Sequence, residues 1–286
     1  MVTGRTSNPT LGFATSIWRR TGEHNVFGAA AELAYFFMLA LFPMLIFLTS
    51  LVSSLSGARR SIYGALSQVM PPDAMGIVSA ALDDAISKRS GGLISIGILG
   101  TLWAASAGVS ALTSTLNRVF DVKETRPYWR VKGMAVVLTL ALSLLVVIGI
   151  LLVMFGDHFG EWAAERLHLG SFLAVGLTVM DYVVGFGLLL AGLEVTYYFG
   201  PNKKRQWRWV TPGAFSAVAA VLIVSILFSI YLRFGPSYSA TYGSLGAFVM
   251  LMVWLYLMSL VIMLGAEIDS QREQTDISGT SRARLN

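Results

Sequence analysis

Apolar residues run along this chain in six long blocks, at about residues 29–54, 93–118, 133–156, 172–199, 211–234 and 244–268, separated by charged or Gly/Pro-rich connectors. A helix that crosses a bilayer needs ~20 mostly apolar residues, and each block supplies them. The pattern predicts an all-α polytopic membrane protein of six transmembrane helices, forming one domain over residues 29–269. A cytoplasmic interfacial segment, 1–28, precedes it. The stretch 270–286, "SQREQTDISGTSRARLN", is polar and without apolar periodicity, and reads as a disordered cytoplasmic tail.

Two shorter stretches are amphipathic. In "LGFATSIWRR", Phe13, Ile17 and Trp18 lie near one helical face beside Arg19 and Arg20, which suits a helix in the membrane interface. In "PPDAMGIVSAALDDAISKRSGG", Met75, Val78, Leu82 and Ile86 recur three or four apart, with Asp73 as N-cap and Gly91 as stop. That predicts a short amphipathic helix in the first outer loop. Gly100, Ala104, Gly108 and Ala111 or Leu112 form a ridge of small residues on the second block, and Gly213 with Ala217 repeats it more weakly on the fifth. Such ridges let membrane helices approach closely. Pro43 removes a backbone hydrogen bond from the first block and predicts a kink.

Composition sharpens the membrane reading. The chain is 55% hydrophobic and 13% charged, with mean hydropathy +0.66; an ordinary soluble domain carries about 25% charged residues. Of 21 Lys and Arg, 15 flank the blocks on the side that holds the N-terminus and 6 on the other. Positive charge marks the cytoplasmic side, so both termini are placed inside. The net charge of +5 is thereby explained by topology, and nucleic acid is not expected as a partner. The N-terminal stretch has neither the unbroken apolar run nor the cleavage site of a signal peptide. No cysteine is present, which excludes thiolate metal sites, cysteine nucleophiles and disulfides.

Ionisable residues inside a span face protein or a watery cavity. The candidates are Glu32, Asp181, Glu194, Arg233, Glu267 and Asp269. Glu32, Glu194 and Glu267 all fall toward the cytoplasmic side, a carboxylate cluster drawn from three helices. The alternative is that Glu32 and Glu267 are solvated near the headgroups or paired with Arg20, Arg118 or Lys132. Asp181 precedes Glu194 by thirteen residues, ~20 Å along a helix and on nearly the opposite face. It belongs to the outer half, with Arg233 as a possible partner across helices. Two carboxylates in one cavity would raise one pKa and permit proton coupling.

The stretches "AAELAYFFMLALFPML", "TSTLNRVFDV", "YYFGPNKKRQWRWVTPGAFSA" and "YGSLGAFVMLMVWLYLMSLVIMLGAEID" occur in this order. Together they resemble the YihY/BrkB family of bacterial inner-membrane proteins, also filed as UPF0761. The likeness covers about residues 20–270 and rests on Ala34-Tyr35, Asn117, Pro201-Asn202, the run from Tyr242 to Ala247, and Gly265-Ala266-Glu267. It implies a six-helix bundle, and the family has been linked to virulence, serum resistance and envelope lipid traffic. An older label assigns part of the family a ribonuclease activity. A metal-dependent nuclease needs clustered ligands, but His24, His158 and His168 are the only histidines and fall on opposite sides.

The remaining motifs have two readings each. "YSATYGSLGAF", with Tyr242, is either a tight outer turn or a helix entrance whose N–H groups favour anions. Lys203, Lys204, Arg205 and Arg208, with Trp207 and Trp209, are either an orientation signal or a docking collar for anionic lipid headgroups. The function expected is a transporter or flippase-like translocator of an envelope lipid or amphipathic anion in the inner membrane. Glu32, Tyr35, Asn117 and Glu194 would line its cavity, with Asp181, Arg233, Tyr242 and Glu267 as secondary candidates. Membrane lipids, among them an anionic lipid or glycolipid, are the expected partners; no cofactor or metal is expected. The competing class is a non-transporting scaffold for envelope biogenesis. An intramembrane enzyme ranks last, for want of a nucleophile–base or metal constellation.

Overall fold

A computed structural model describes residues 9–52, 94–167, 170–203, 205–234 and 244–283, together with Met75, Gly76 and Ser79. The regular structure over those residues is seven helices: α1 Pro9–Glu23, α2 Val26–Val52, α3 Ile94–Val119, α4 Tyr128–Leu167, α5 Gly170–Phe199, α6 Pro212–Phe234 and α7 Ser244–Ala283. The expected helix at 73–91 falls outside the described residues except for Met75, Gly76 and Ser79, which are helical.

Local chemistry sets the helix ends. Asn25 takes a left-handed φ of 49° and its N–H bonds to the Gly22 carbonyl, which breaks α1 from α2. At the end of α3, Asp121 has φ 55°; the Asp121 N–H reaches the Arg118 carbonyl and the Val122 N–H that of Asn117. This pair of bonds is a Schellman motif, and Asn and Asp tolerate its left-handed position better than other side chains. Thr211 opens α6: its Oγ1 accepts from the Ala214 N–H at 3.2 Å, and Pro212 follows in the first turn.

Five of these helices, α2, α4, α5, α6 and α7, are long and apolar enough to cross a membrane. Their outward faces agree: α4 exposes Val137 and Leu144, and α6 exposes Ile223, Ile226 and Leu227, all by more than half. A water-soluble surface does not carry such continuous aliphatic faces. The other expected span, α3, is less apolar because it is rich in Ser and Thr. Two of its buried hydroxyls bond back onto their own helix: Thr115 to the Ala111 and Leu112 carbonyls and Ser106 to that of Trp103.

Helix α7 is central, packed against α6, α2, α3 and α1, while α4 lies between α3 and α5. One core cluster joins Met38, Leu45, Phe228, Leu251 and Trp254; the other joins Leu33, Leu116, Phe120, Tyr197 and Met263. Pro43 lies within α2, which continues to Val52.

Two expectations are corrected. The stretch 270–283 is the helical continuation of α7, because Gln271 bonds to Ser16, Gln274 to Arg20 and Asp121, and Glu273 to Lys203 and Arg205. The small-residue ridge of α3 is used only in part: a Cβ on Gly108 would lie 3.0 Å from Phe37 and 3.2 Å from Ala40 of α2, but one on Gly100 meets nothing within 4 Å. The closer approach is the one expected to be weaker. A Cβ on Gly265 of α7 would come within 2.6 Å of both the Ala217 Cβ and the Gly213 carbonyl of α6.

Candidate functional site

The start of α6 exposes backbone N–H groups that no carbonyl of its own helix can serve, and the partial positive charge there favours anions. Two carboxylates from other helices meet it. Glu194, 4% exposed on α5, accepts from the Thr211 N–H, and Asp269, also 4% exposed on α7, accepts from the Gly213 N–H at 2.7 Å. Tyr197, one turn after Glu194 and fully buried, donates to the Ile262 carbonyl of α7. The second Asp269 oxygen, Oδ2, is buried without a hydrogen-bond partner. Gly213 is what lets Asp269 in, since a Cβ there would strike both the Gly265 carbonyl and the Asp269 carboxylate.

A second polar group ties α1 to α7. Glu267, 0% exposed, receives Arg20 Nε on one oxygen at 3.1 Å and His24 Nδ1 on the other. Arg20 also reaches Asp121 Oδ2 at 3.1 Å, the Val119 carbonyl at 3.3 Å, Ser270 Oγ at 3.0 Å and Gln274 Oε1 at 2.7 Å. His24 Nε2 lies 3.0 Å from Asp121 Oδ1. Partial burial pushes the Asp121 carboxyl up, but His24, Arg20 and the Gln274 amide outweigh it and hold the group below its ordinary 3.8.

The third group joins the two loops. Buried Asn117 accepts from the Asn202 N–H at 2.7 Å and donates to Glu124 Oε2 at 2.8 Å; Arg126 grips Glu124 through side chain and backbone and bonds to the Gly200 carbonyl at 3.0 Å. Asn202 in turn bonds to the Lys123 carbonyl and Thr125. The Arg126 guanidinium above all, with its N–H and Asn117, pulls the Glu124 carboxyl from 4.5 down to about 2 against a smaller desolvation effect. A carboxylate whose pKa is lower folded than unfolded contributes stability that is whole above the unfolded value and is lost as pH falls toward the folded one. Thermal unfolding in detergent should therefore show the wild type losing stability between pH 4.5 and about 2 more steeply than Glu124→Gln.

The expected cluster of Glu32, Glu194 and Glu267 is not assembled. Each acid has its own partner, and Glu32 pairs with Arg118 at 2.7 Å where both side chains are about two-fifths exposed. Two of the ion pairs are those named as the alternative, Glu32 with Arg118 and Glu267 with Arg20. Tyr35 is 55% exposed, edge-on to Phe36. Of the basic collar, Lys203 and Arg205 both turn to Glu273 at 3.3 Å, and Arg205 also stacks over the Phe120 ring and bonds to the Tyr197 carbonyl. Arg208 stays exposed, near Trp207 and the 82% exposed Trp209. Arg233 is exposed at the end of α6. Lys204, Tyr242, His168 and the side chains of Asp181 and His158 lie outside the described residues. Asp269 was singled out but not ranked, and Tyr197, Thr211, Asp121 and His24 as a carboxylate partner were missed. The signal that could have located the α6 start is the run Thr211-Pro212-Gly213, an N-cap residue followed by a first-turn proline. Among the described residues no group of three or more His, Asp or Glu is arranged to hold a metal ion.

Residues 17–285 match the family model described as Virulence factor BrkB. A ribonuclease-like protein of Bacillus subtilis, YfkH, is 36% identical over 91% of this chain and 94% of its own length. A UPF0761 membrane protein of Aliivibrio salmonicida is 30% identical over 87% of this chain and 79% of its own. One from Stenotrophomonas maltophilia is 26% identical, and the match spans 60% of its length. No solved structure matches the chain.

Proposed function

This chain belongs to the BrkB virulence-factor family of membrane proteins, and from that premise we propose that it is a translocator of an amphipathic anion, such as an anionic envelope lipid, in the bacterial inner membrane. The reading includes six crossings with both termini in the cytoplasm. The helix ends support it: Glu32 near the start of α2 meets Arg118 at the end of α3, and Glu194 of α5 and Asp269 of α7 meet the start of α6. The positive-inside count assigns that end to the cytoplasm. The role is non-enzymatic, and the ribonuclease-like name belongs to the Bacillus protein.

The observation that carries the reading is the polarity of the bundle interior. Thr113 Oγ1 of α3 and Trp254 Nε1, Ser259 Oγ and Asp269 Oδ2 of α7 are buried without partners, on two helices that pack together. Within a membrane each such atom costs several kcal/mol unless something polar serves it. A headgroup passing between α3 and α7 would do so. Proton coupling then falls to Glu194 and Asp269, which share the α6 start, and not to Glu32, which pairs with Arg118.

The test is mass spectrometry of the lipid that co-purifies in mild detergent, followed by flux in vesicles. Wild type should enrich one anionic lipid over the membrane average. Glu194→Gln and Asp269→Asn should keep the fold by circular dichroism and lose at least ~90% of flux, a tenfold change or about 1.4 kcal/mol. Bulk lipid alone in every sample, with no flux, sinks the proposal. A specific observation favours the scaffold as second reading: Glu32, Glu194 and Glu267 each already have a structural partner. Co-purification of one membrane protein at fixed ratio would select it.

A further inference from the structure

We propose that His24 is a proton-binding site that latches α1 onto the bundle, holding the helix while the imidazole carries both protons and releasing it when one is lost. Neutral imidazole offers one N–H and one lone pair, whereas ionised carboxylates only accept. Here both ring nitrogens face carboxylate oxygens, Nδ1 that of Glu267 and Nε2 that of Asp121. Only the imidazolium donates to both. Removal of either proton sets a lone pair against a carboxylate oxygen.

Charge counting gives the same result. The charged groups presented to the ring are Arg20 from α1, Asp121 from the turn after α3 and Glu267 from α7. With His24 protonated, two cations balance two anions. Without that proton a surplus negative charge remains where Glu267 is fully buried, and such a charge is expensive to leave unpaired. Asp121 is held below the usual carboxylate range, so it stays an acceptor across the range in which imidazoles titrate.

Outside the cluster, Trp18 of α1 is 73% exposed and touches Phe27 of α2, itself 46% exposed, and Ser16 bonds to Gln271. The exposed tryptophan and Arg19 suit the helix for the membrane surface once freed. The latch therefore converts pH on that side of the membrane into attachment or release of an amphipathic helix, and it does not depend on what, if anything, the bundle transports.

The chain has no cysteine, so spin labels can be placed by Thr15→Cys/Thr275→Cys alone. In the otherwise wild-type protein, dipolar broadening between the labels should fall about twofold or more as pH rises through the point at which the imidazole loses its second proton. His24→Gln in the same background should show weak broadening at every pH. Nitrogen-15 histidine spectra of the wild type supply the second readout: His24 should be protonated on both nitrogens below the transition and on one above. Broadening that ignores pH, a transition that survives His24→Gln, or a singly protonated His24 throughout would each overturn the proposal.

Discussion

Glu267→Ala is expected to destabilise the folded bundle by about 3 kcal/mol or more, the usual loss when one member of a buried ion pair is removed. The side chain is fully buried, and its two oxygens serve Arg20 and His24. Without it, two donors 11% exposed keep only Asp121, at the solvent edge, as a carboxylate partner. The cost lies less in the lost attraction than in the desolvated guanidinium and imidazole left behind. Glu267→Gln keeps the shape and one acceptor oxygen and should cost less. Unfolding in mixed micelles, run as a double-mutant cycle with Arg20→Ala, checks this. The two losses should fall well short of adding, because either change alone dismantles the same pair. Full additivity would show that Arg20 draws its anchorage from Asp121, Ser270 and Gln274 instead.

Gly213→Ala should weaken the bundle by about 3 kcal/mol, the upper end of overpacking effects. The added methyl meets backbone, the Gly265 carbonyl, together with the Asp269 carboxylate, and backbone cannot rotate aside as a side chain can. To make room α6 must withdraw from α7, and the Asp269 bond to the Gly213 N–H goes with it. Gly265→Ala tests the same crossing from the other helix, where the methyl would meet the Ala217 Cβ, the Gly213 carbonyl and, at 2.9 Å, the Tyr197 hydroxyl. Gly100→Ala is the control. Nothing lies within 4 Å of a Cβ there, so it should be neutral or stabilising by up to ~1 kcal/mol through helix propensity alone. Equal melting temperatures for Gly213→Ala and Gly100→Ala would show that the crossing has slack.

The contrast between these glycines explains what could be read in advance. Block length and apolar content depend on one segment at a time, and the helices fall close to the blocks. Which glycine matters depends on what stands opposite. The Gly100 ridge looks stronger in sequence, yet Gly213 gains its importance from Gly265, some fifty residues on, and nothing in either segment announces the pairing. The acids teach the same lesson. Three carboxylates at similar depth suggested one cluster, but depth says nothing of direction around each helix, and Glu32, Glu194 and Glu267 turn to separate partners. Tyr35 turns outward for the same reason. The polar tail after Ser270 read as disorder because composition gauges the chance of burying apolar surface, and this helical turn is held by Gln271, Glu273 and Gln274 instead. In sequence His24 is only one of three scattered histidines, since its carboxylates come from positions 97 and 243 residues away.

The place of α7 in this network has a consequence for how the protein is made. Translation runs from the N-terminus, and α7 leaves the ribosome after the six other described helices. Arg20, the Gly213 N–H, Lys203 and Arg205 all find carboxylates on it, in Glu267, Asp269 and Glu273. Until it arrives, the earlier helices sit in the bilayer with an unanswered arginine, an unserved amide and two loose cations at one end. The nascent bundle is thus an incomplete electrostatic circuit, open to quality-control proteases and insertion chaperones. The forty residues of α7 close it, so commitment to the folded state waits until that helix has been made.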